Sequence, residues 1–176
     1  MRVDPLANFE PLIRRVYSYV AYRLGDGPDA EDVTSEVFER ALRYRASYDD
    51  SRGSPLQWLI GIARRCVEDA LTSRGRTDPL EENEQPSWED VDEDVVRRVT
   101  LAAAINNLDG RAQDLLSLRY GADLSARQIG AILGVKTNAV EVALHRTLTR
   151  LRTELEEGGD ARPSTCHPAA ETSQPQ

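Results

Sequence analysis

The chain has 176 residues, 40% of them apolar and 30% charged, and its 22 basic and 30 acidic side chains leave a formal net charge of -8. That length accommodates one ordinary domain or two small ones with a real apolar core, and no window approaches the roughly 18 apolar residues of a membrane span. The expectation is a cytoplasmic protein without membrane insertion. The opening stretch MRVDPLANFEPLIRR is too charged for a secretory signal, and Cys66 and Cys166 are too few and too distant for a disulfide framework.

Over residues 8–24, Phe9, Leu12, Ile13, Val16, Val20 and Leu24 recur at three and four, which predicts a helix with one buried face. GDGP breaks it. Asp29 or a neighbour is then expected to cap a second helix whose buried stripe is Val33, Val37, Phe38, Ala41 and Leu42. YDDSRGSP, residues 48–55, reads as a turn-rich loop, and a third helix over about 56–71 turns Leu56, Leu59, Ile60, Ala63, Val67 and Leu71 inward.

Between Asp78 and Asp94 there are nine carboxylates and no Lys or Arg, so the rest of the chain carries 22 basic against 21 acidic residues. The acidity is local, and the net charge does not exclude nucleic acid. Charge repulsion and Pro predict an extended linker here. A second helical block starts near Glu89, with Val91, Val95, Val99 and Ala102 on one side, and helices follow over about 111–119, 125–133 and 137–155. GGDARPSTCHPAAETSQPQ, from Gly158, reads as a disordered tail. The expected fold class is all-α: two small helical domains, residues 1–76 and 89–157, joined by an acidic flexible linker at 77–88 and followed by a tail at 158–176.

The C-terminal block has the outline of a helix-turn-helix. Ser125 and Gln128 form a capping box, Ile129, Ile132 and Leu133 give the next helix its buried side, and Gly134 admits the left-handed corner. Val135 is expected in the core, with Val140, Leu144, Leu148, Leu151 and Leu155 holding the following helix. A Gly-centred corner also occurs in helical bundles that never touch DNA. Residues 136–152 carry Lys136, Arg146, Arg150 and Arg152 against Glu141, which favours DNA, although Glu141, Val142 and Ala143 occupy the face that should meet it. With no Gly-rich phosphate loop, no HExxH pair and only Cys166 beside His167 in the tail, no enzyme chemistry, cofactor or metal is expected.

DAEDVTSEVFERAL followed by SPLQWLIGIAR resembles the second region of bacterial RNA polymerase sigma factors, and LDGRAQDLLSLRYGADLSARQIGAILGVKTNAVEVALHRTLTRLR resembles their fourth. With no third domain between them, the chain resembles the extracytoplasmic-function (ECF) group over roughly residues 9–155. The resemblance implies that Asp32, Glu36 and Glu39 meet the clamp of the large polymerase subunit. It implies that residues 48–55 and the following helix capture flipped minus-ten bases, with Arg52, Trp58, Arg64 and Arg65 supplying cations and a π-face. The C-terminal domain would sit on the flap of the other large subunit and read the minus-thirty-five element through Arg119, Arg127, Lys136, Thr137, Asn138, His145, Arg146 and Arg150. Core RNA polymerase, promoter DNA and an anti-sigma factor are the implied partners, and the acidic linker would thread the active-site channel and RNA exit path. The chain departs from the family at Arg65, often Asn, and at Glu141, Val142 and Ala143, often Lys, Ser and Arg. Those departures move expected reading to the ends of the helix, Lys136 to Asn138 and Arg146 with Arg150. The alternative from the residues alone is a helix-turn-helix regulator that never joins polymerase.

Overall fold

The computed structural model describes residues 4–74 and 93–159, without the side chains of 93–98 and 157–159. The linker expected at 77–88, the start of the second block near Glu89 and the tail expected from Gly158, apart from its first two residues, lie outside the described residues; those two, Gly158 and Gly159, end the last helix instead of starting a disordered tail. Among those residues there are seven α-helices and no strand: α1 (Glu10–Leu24), α2 (Pro28–Tyr44), α3 (Pro55–Arg74), α4 (Glu93–Asn106), α5 (Gly110–Leu116), α6 (Ala126–Leu133) and α7 (Thr137–Gly159). Short 3-10 turns at Arg45–Ser47 and Asp50–Arg52 join α2 to α3, and a π-helical turn, Ser117–Gly121, follows α5.

Pro28 in the first turn starts α2, with Gly27 as its N-cap and no side-chain cap. The expected cap, Asp29, instead sits inside that first turn, where its carboxylate favours the helix N-terminus and pairs with Arg74 at the end of α3. The third helix runs three residues beyond its expected end. The helix expected over 111–119 breaks at Leu116, because Ala122 donates to the Ser117 carbonyl at 2.9 Å and widens the turn by one residue.

Helices α1, α2 and α3 pack on one another through Val16, Val20, Val37, Ala41, Leu59, Ile60 and Ala63, all fully buried. The same cluster continues into the C-terminal helices: Leu118, Ala122, Leu124 and Ile129 are also fully buried within it. A second, smaller cluster of Ala104, Leu108, Leu116 and Leu151 ties α4 to the end of α7. The two helical groups thus share their main core. Six expected core positions stand out in solvent: Phe9, Ile13, Leu42, Leu71, Val135 and Leu148 are 36–57% exposed, as is Val99 on the apolar side expected for α4.

Candidate nucleic-acid interface

The connector between α2 and α3 is cross-braced by its own side chains. Tyr48 Oη donates to the Gly53 carbonyl at 3.0 Å, and Asp49 accepts from the Ser51 amide at 3.0 Å and the Ser51 hydroxyl at 2.6 Å. Those two bonds from Ser51 hold the Asp49 carboxyl below its usual range. Ser54 and Gln57 then cap α3 reciprocally, the Ser54 amide donating to Gln57 Oε1 at 3.0 Å and the Gln57 amide to Ser54 Oγ at 3.4 Å. Trp58 is half-buried, its ring edge-on to Tyr48 with centroids 5.6 Å apart. Arg52 reaches Asp49 only at 3.7 Å and stays 87% exposed, and Arg65 is exposed. Beside the loop opens a cavity of about 450 Å³ bounded by Arg52, Gln57 and Trp58.

The helix-turn-helix forms as its local signals require. Ser125 and Gln128 make the full capping box, and Gly134 takes φ 68°, the left-handed corner. Val135, expected in the core, is 37% exposed. Its backbone packs instead: the Val135 amide donates to the Gly130 carbonyl at 2.9 Å, and a Cβ on Gly130 would lie 2.7 Å from the Val135 carbonyl oxygen. Gly130, unremarked in the sequence, therefore sets how closely α6 meets the start of α7. On α7 and the corner before it, Lys136, Thr137, Asn138, Glu141, Val142, His145 and Arg146 are exposed and Ala143 is half-buried. Arg127 is exposed on α6. Arg150 is partly engaged by Glu154 at 3.1 Å and Asp109 at 3.7 Å, and half-buried Arg119 donates to the Leu124 carbonyl at 3.0 Å. Lys136 and Arg146 thus stand exposed at the two ends of this stretch.

Arg64 is set apart from the other loop cations. Its guanidinium pairs with Asp114 of α5, Nη2 to Oδ2 at 3.0 Å, while the other oxygen of that carboxylate accepts from Tyr19 Oη at 2.7 Å. All three side chains line a cleft of about 780 Å³ that runs on to Arg146 of α7. Burial, then the Asp114 charge, pushes the Tyr19 phenol far above its ordinary value. Nothing in the local pattern of α3 foreshadows the Arg64 pairing, which joins residues fifty positions apart. On α2, Asp32 is exposed, Glu36 pairs with Arg40 at 2.5 Å and Glu39 with Arg43 at 2.9 Å. The acidic face is thus partly compensated by its own helix.

Comparison with known proteins assigns this arrangement. Residues 9–77 match Sigma-70 region 2 and residues 104–153 match Sigma-70, region 4. The ECF RNA polymerase sigma factor SigD of Mycobacterium bovis is 33% identical over 171 residues, covering 89% of this chain and 78% of SigD. BldN of Streptomyces coelicolor, also an ECF RNA polymerase sigma factor, is 33% identical over 146 residues, 77% of this chain and 55% of BldN, so the chain spans about half of that relative. Among solved structures, RpoE of Bartonella quintana in complex with the anti-sigma factor NepR shares the fold at TM-score 0.65, with 17% identity over 84% of this chain and 94% of that one. CnrH in complex with the cytosolic domain of CnrY does so at 0.59, with 17% identity over 86% and 85%. The chain belongs to the extracytoplasmic-function group of RNA polymerase sigma factors, alternative sigma factors that direct RNA polymerase.

Proposed function

We propose that this sigma factor acts in the cytoplasm by joining core RNA polymerase, placing it at promoters through two separate DNA contacts and helping to melt the DNA. The observation that carries this reading is the pairing, in one chain, of a braced aromatic-and-cation loop with a capped helix-turn-helix. Arg52, Trp58, Arg65 and, when released, Arg64 take the minus-ten strand. Base stacking on the Trp58 and Tyr48 edge offsets the few kcal/mol of unstacking that each flipped base costs. Lys136, Thr137, Asn138, His145 and Arg146 take the minus-thirty-five element, with Arg127 on the flanking backbone and Arg119 and Arg150 as supporting charges.

The helix face itself, with Glu141 and Val142 exposed, is too poor in cations to hold DNA alone. Tethering by polymerase raises the effective DNA concentration for such a weak contact. Asp32, with Glu36 and Glu39, presents the acidic side of α2 to a basic clamp, and the C-terminal helices rest on the flap. The two structural neighbours are complexes with an anti-sigma factor and with the cytosolic domain of CnrY, and a protein inhibitor of that kind is the proposed third partner. The chain carries no chemistry of its own in this scheme.

Run-off transcription with core polymerase over a broad set of genomic promoters tests the reading. Discrete start sites that depend on the chain are expected. Folded protein that stimulates none, yet footprints duplex DNA unaided, would mark a regulator that works without polymerase.

A further inference from the structure

The cleft of about 780 Å³ that joins Tyr19, Arg64 and Asp114 to Arg146 offers more surface than those side chains account for. Its volume is that of sites that enclose small organic ligands, about 300–1,000 Å³. One wall is aliphatic, built from Val67, Leu115, Leu133, Val135, Ala139 and Val140. Val135 and Ala139 are exposed in it, so folding leaves apolar surface uncovered in a concavity.

The polar lining has a surplus of cations. Arg23, Arg64, Arg111 and Arg146 line the cleft with three carboxylates, Glu68, Asp109 and Asp114. Two of those carboxylates are committed: Asp114 to Arg64 at 3.0 Å and to Tyr19 at 2.7 Å, Asp109 to the amides of Arg111 and Ala112 at 3.1 and 3.0 Å. Arg23 is bonded differently. Its Nη1 donates to two neutral oxygens at 3.1 Å, the Gly110 carbonyl and Gln113 Oε1, and its Nε is buried without a partner. Those bonds carry the Arg23 guanidinium to the start of α5, where Arg111 stands exposed. Two guanidinium groups thus gather beside an aliphatic wall.

We propose that this cleft binds an amphipathic carboxylate with a medium-length aliphatic chain, its head on Arg23 and Arg111 and its chain along Val67, Val135 and Ala139. Guanidinium groups suit a carboxylate because their planar donor pairs bond both of its oxygens, and an aliphatic wall suits a body that water expels. A nucleotide suits it less. Tyr19, the one aromatic side chain lining the cleft among the described residues, is 1% exposed and its hydroxyl is held by Asp114, so no ring face is open to a base. Side chains of α1, α3, α5 and α7 meet here, and an occupant therefore stabilises the folded chain by mass action. None of this rests on the DNA contacts proposed above.

Decanoate, kept below its micelle concentration, is the probe, titrated calorimetrically into the 176-residue chain. 1-Decanol supplies the chain without the charge. The expected result is one-to-one binding of decanoate with a Kd of about 100 μM or tighter, decanol at least about tenfold weaker, and a melting temperature that climbs with decanoate. Arg111→Gln removes an exposed cation and Ala139→Leu fills the wall from an exposed position. Each is expected to weaken decanoate at least about fivefold while keeping native helical circular dichroism. No binding to folded wild type, equal binding of decanol and decanoate, or an affinity unchanged in both variants would overturn the site. Should one variant lose its helical signal, the other decides by the same criteria.

Discussion

The α2–α3 connector and the α6–α7 corner both serve the proposed DNA contacts, and the helix at each, α3 and α6, begins with the same device, a Ser whose side chain and amide exchange hydrogen bonds with a Gln three residues on. They differ in what the device supports. At the loop, Asp49, Arg52, Gln57 and Trp58 line a concave pocket. At the corner, the Gly130–Val135 approach fixes an angle between two helices and leaves a flat face with cations only at its ends. A pocket gains affinity from enclosure, whereas a flat, weakly charged face needs something else to hold it against DNA.

The sharpest way to break that comparison is a glycine from each region. Gly130→Ala meets the Val135 carbonyl and is expected to lower stability by roughly 2 kcal/mol in denaturant unfolding, despite the helix propensity it adds. Gly61→Ala, in α3 with open space around its Cβ position, should instead raise stability by up to about 1 kcal/mol. Equal losses at both would mean that the corner is no more constrained than the Gly61 turn of α3.

Charge comes next. Lys136→Ala with Arg146→Ala should weaken polymerase–promoter binding roughly tenfold, about 1.4 kcal/mol, and lower the log–log salt slope by about 0.9 for each phosphate no longer neutralised. Arg52→Ala with Arg65→Ala should lower the slope on single strands by about 0.7 each. Glu141→Lys should add about one unit to the duplex slope, and an unchanged slope would remove α7 from the DNA surface.

Loss of either cap is a smaller effect. Ser54→Ala and Ser125→Ala are each expected to cost about 1 kcal/mol, with Ser→Gly at the same sites costing only a few tenths; calorimetry of the four variants would show whether the two caps are equivalent. Smallest at neutral pH is the contribution of Tyr19 ionisation. Its folded-state pKa is raised above the ordinary value of 10.0 by burial and by Asp114, so its stabilisation is complete below pH 10 and is lost as pH rises beyond it. Stability measured from pH 9 to 11 should therefore fall more steeply in wild type than in Tyr19→Phe. Parallel curves would show Tyr19 ionising freely in the folded chain.

Helix existence was legible because each helix carries an apolar stripe at its own period, and the corner was legible because Ser125, Gln128 and Gly134 act within a few residues of one another. The SPLQ stretch held an equal signal, Ser54 to Gln57, hidden by the Pro that marks a loop as readily as a first helical turn. Gly121 and Gly130 carried none, since a glycine chosen for close backbone approach looks like any other until the neighbouring chain is in place. The same holds for Asp114, Arg64 and Tyr19.

By itself the sequence determined an all-α chain, the order of its helices, the helix-turn-helix and the exposed cations at its ends, because capping, periodicity and corner geometry are settled over a few residues. Only the tertiary structure decided that Arg64 is paired, that Val135 faces water and that the N-terminal and C-terminal helices share one core. Those facts depend on which surfaces fifty to a hundred residues apart bury each other, and an apolar stripe states that it will be covered without stating by what.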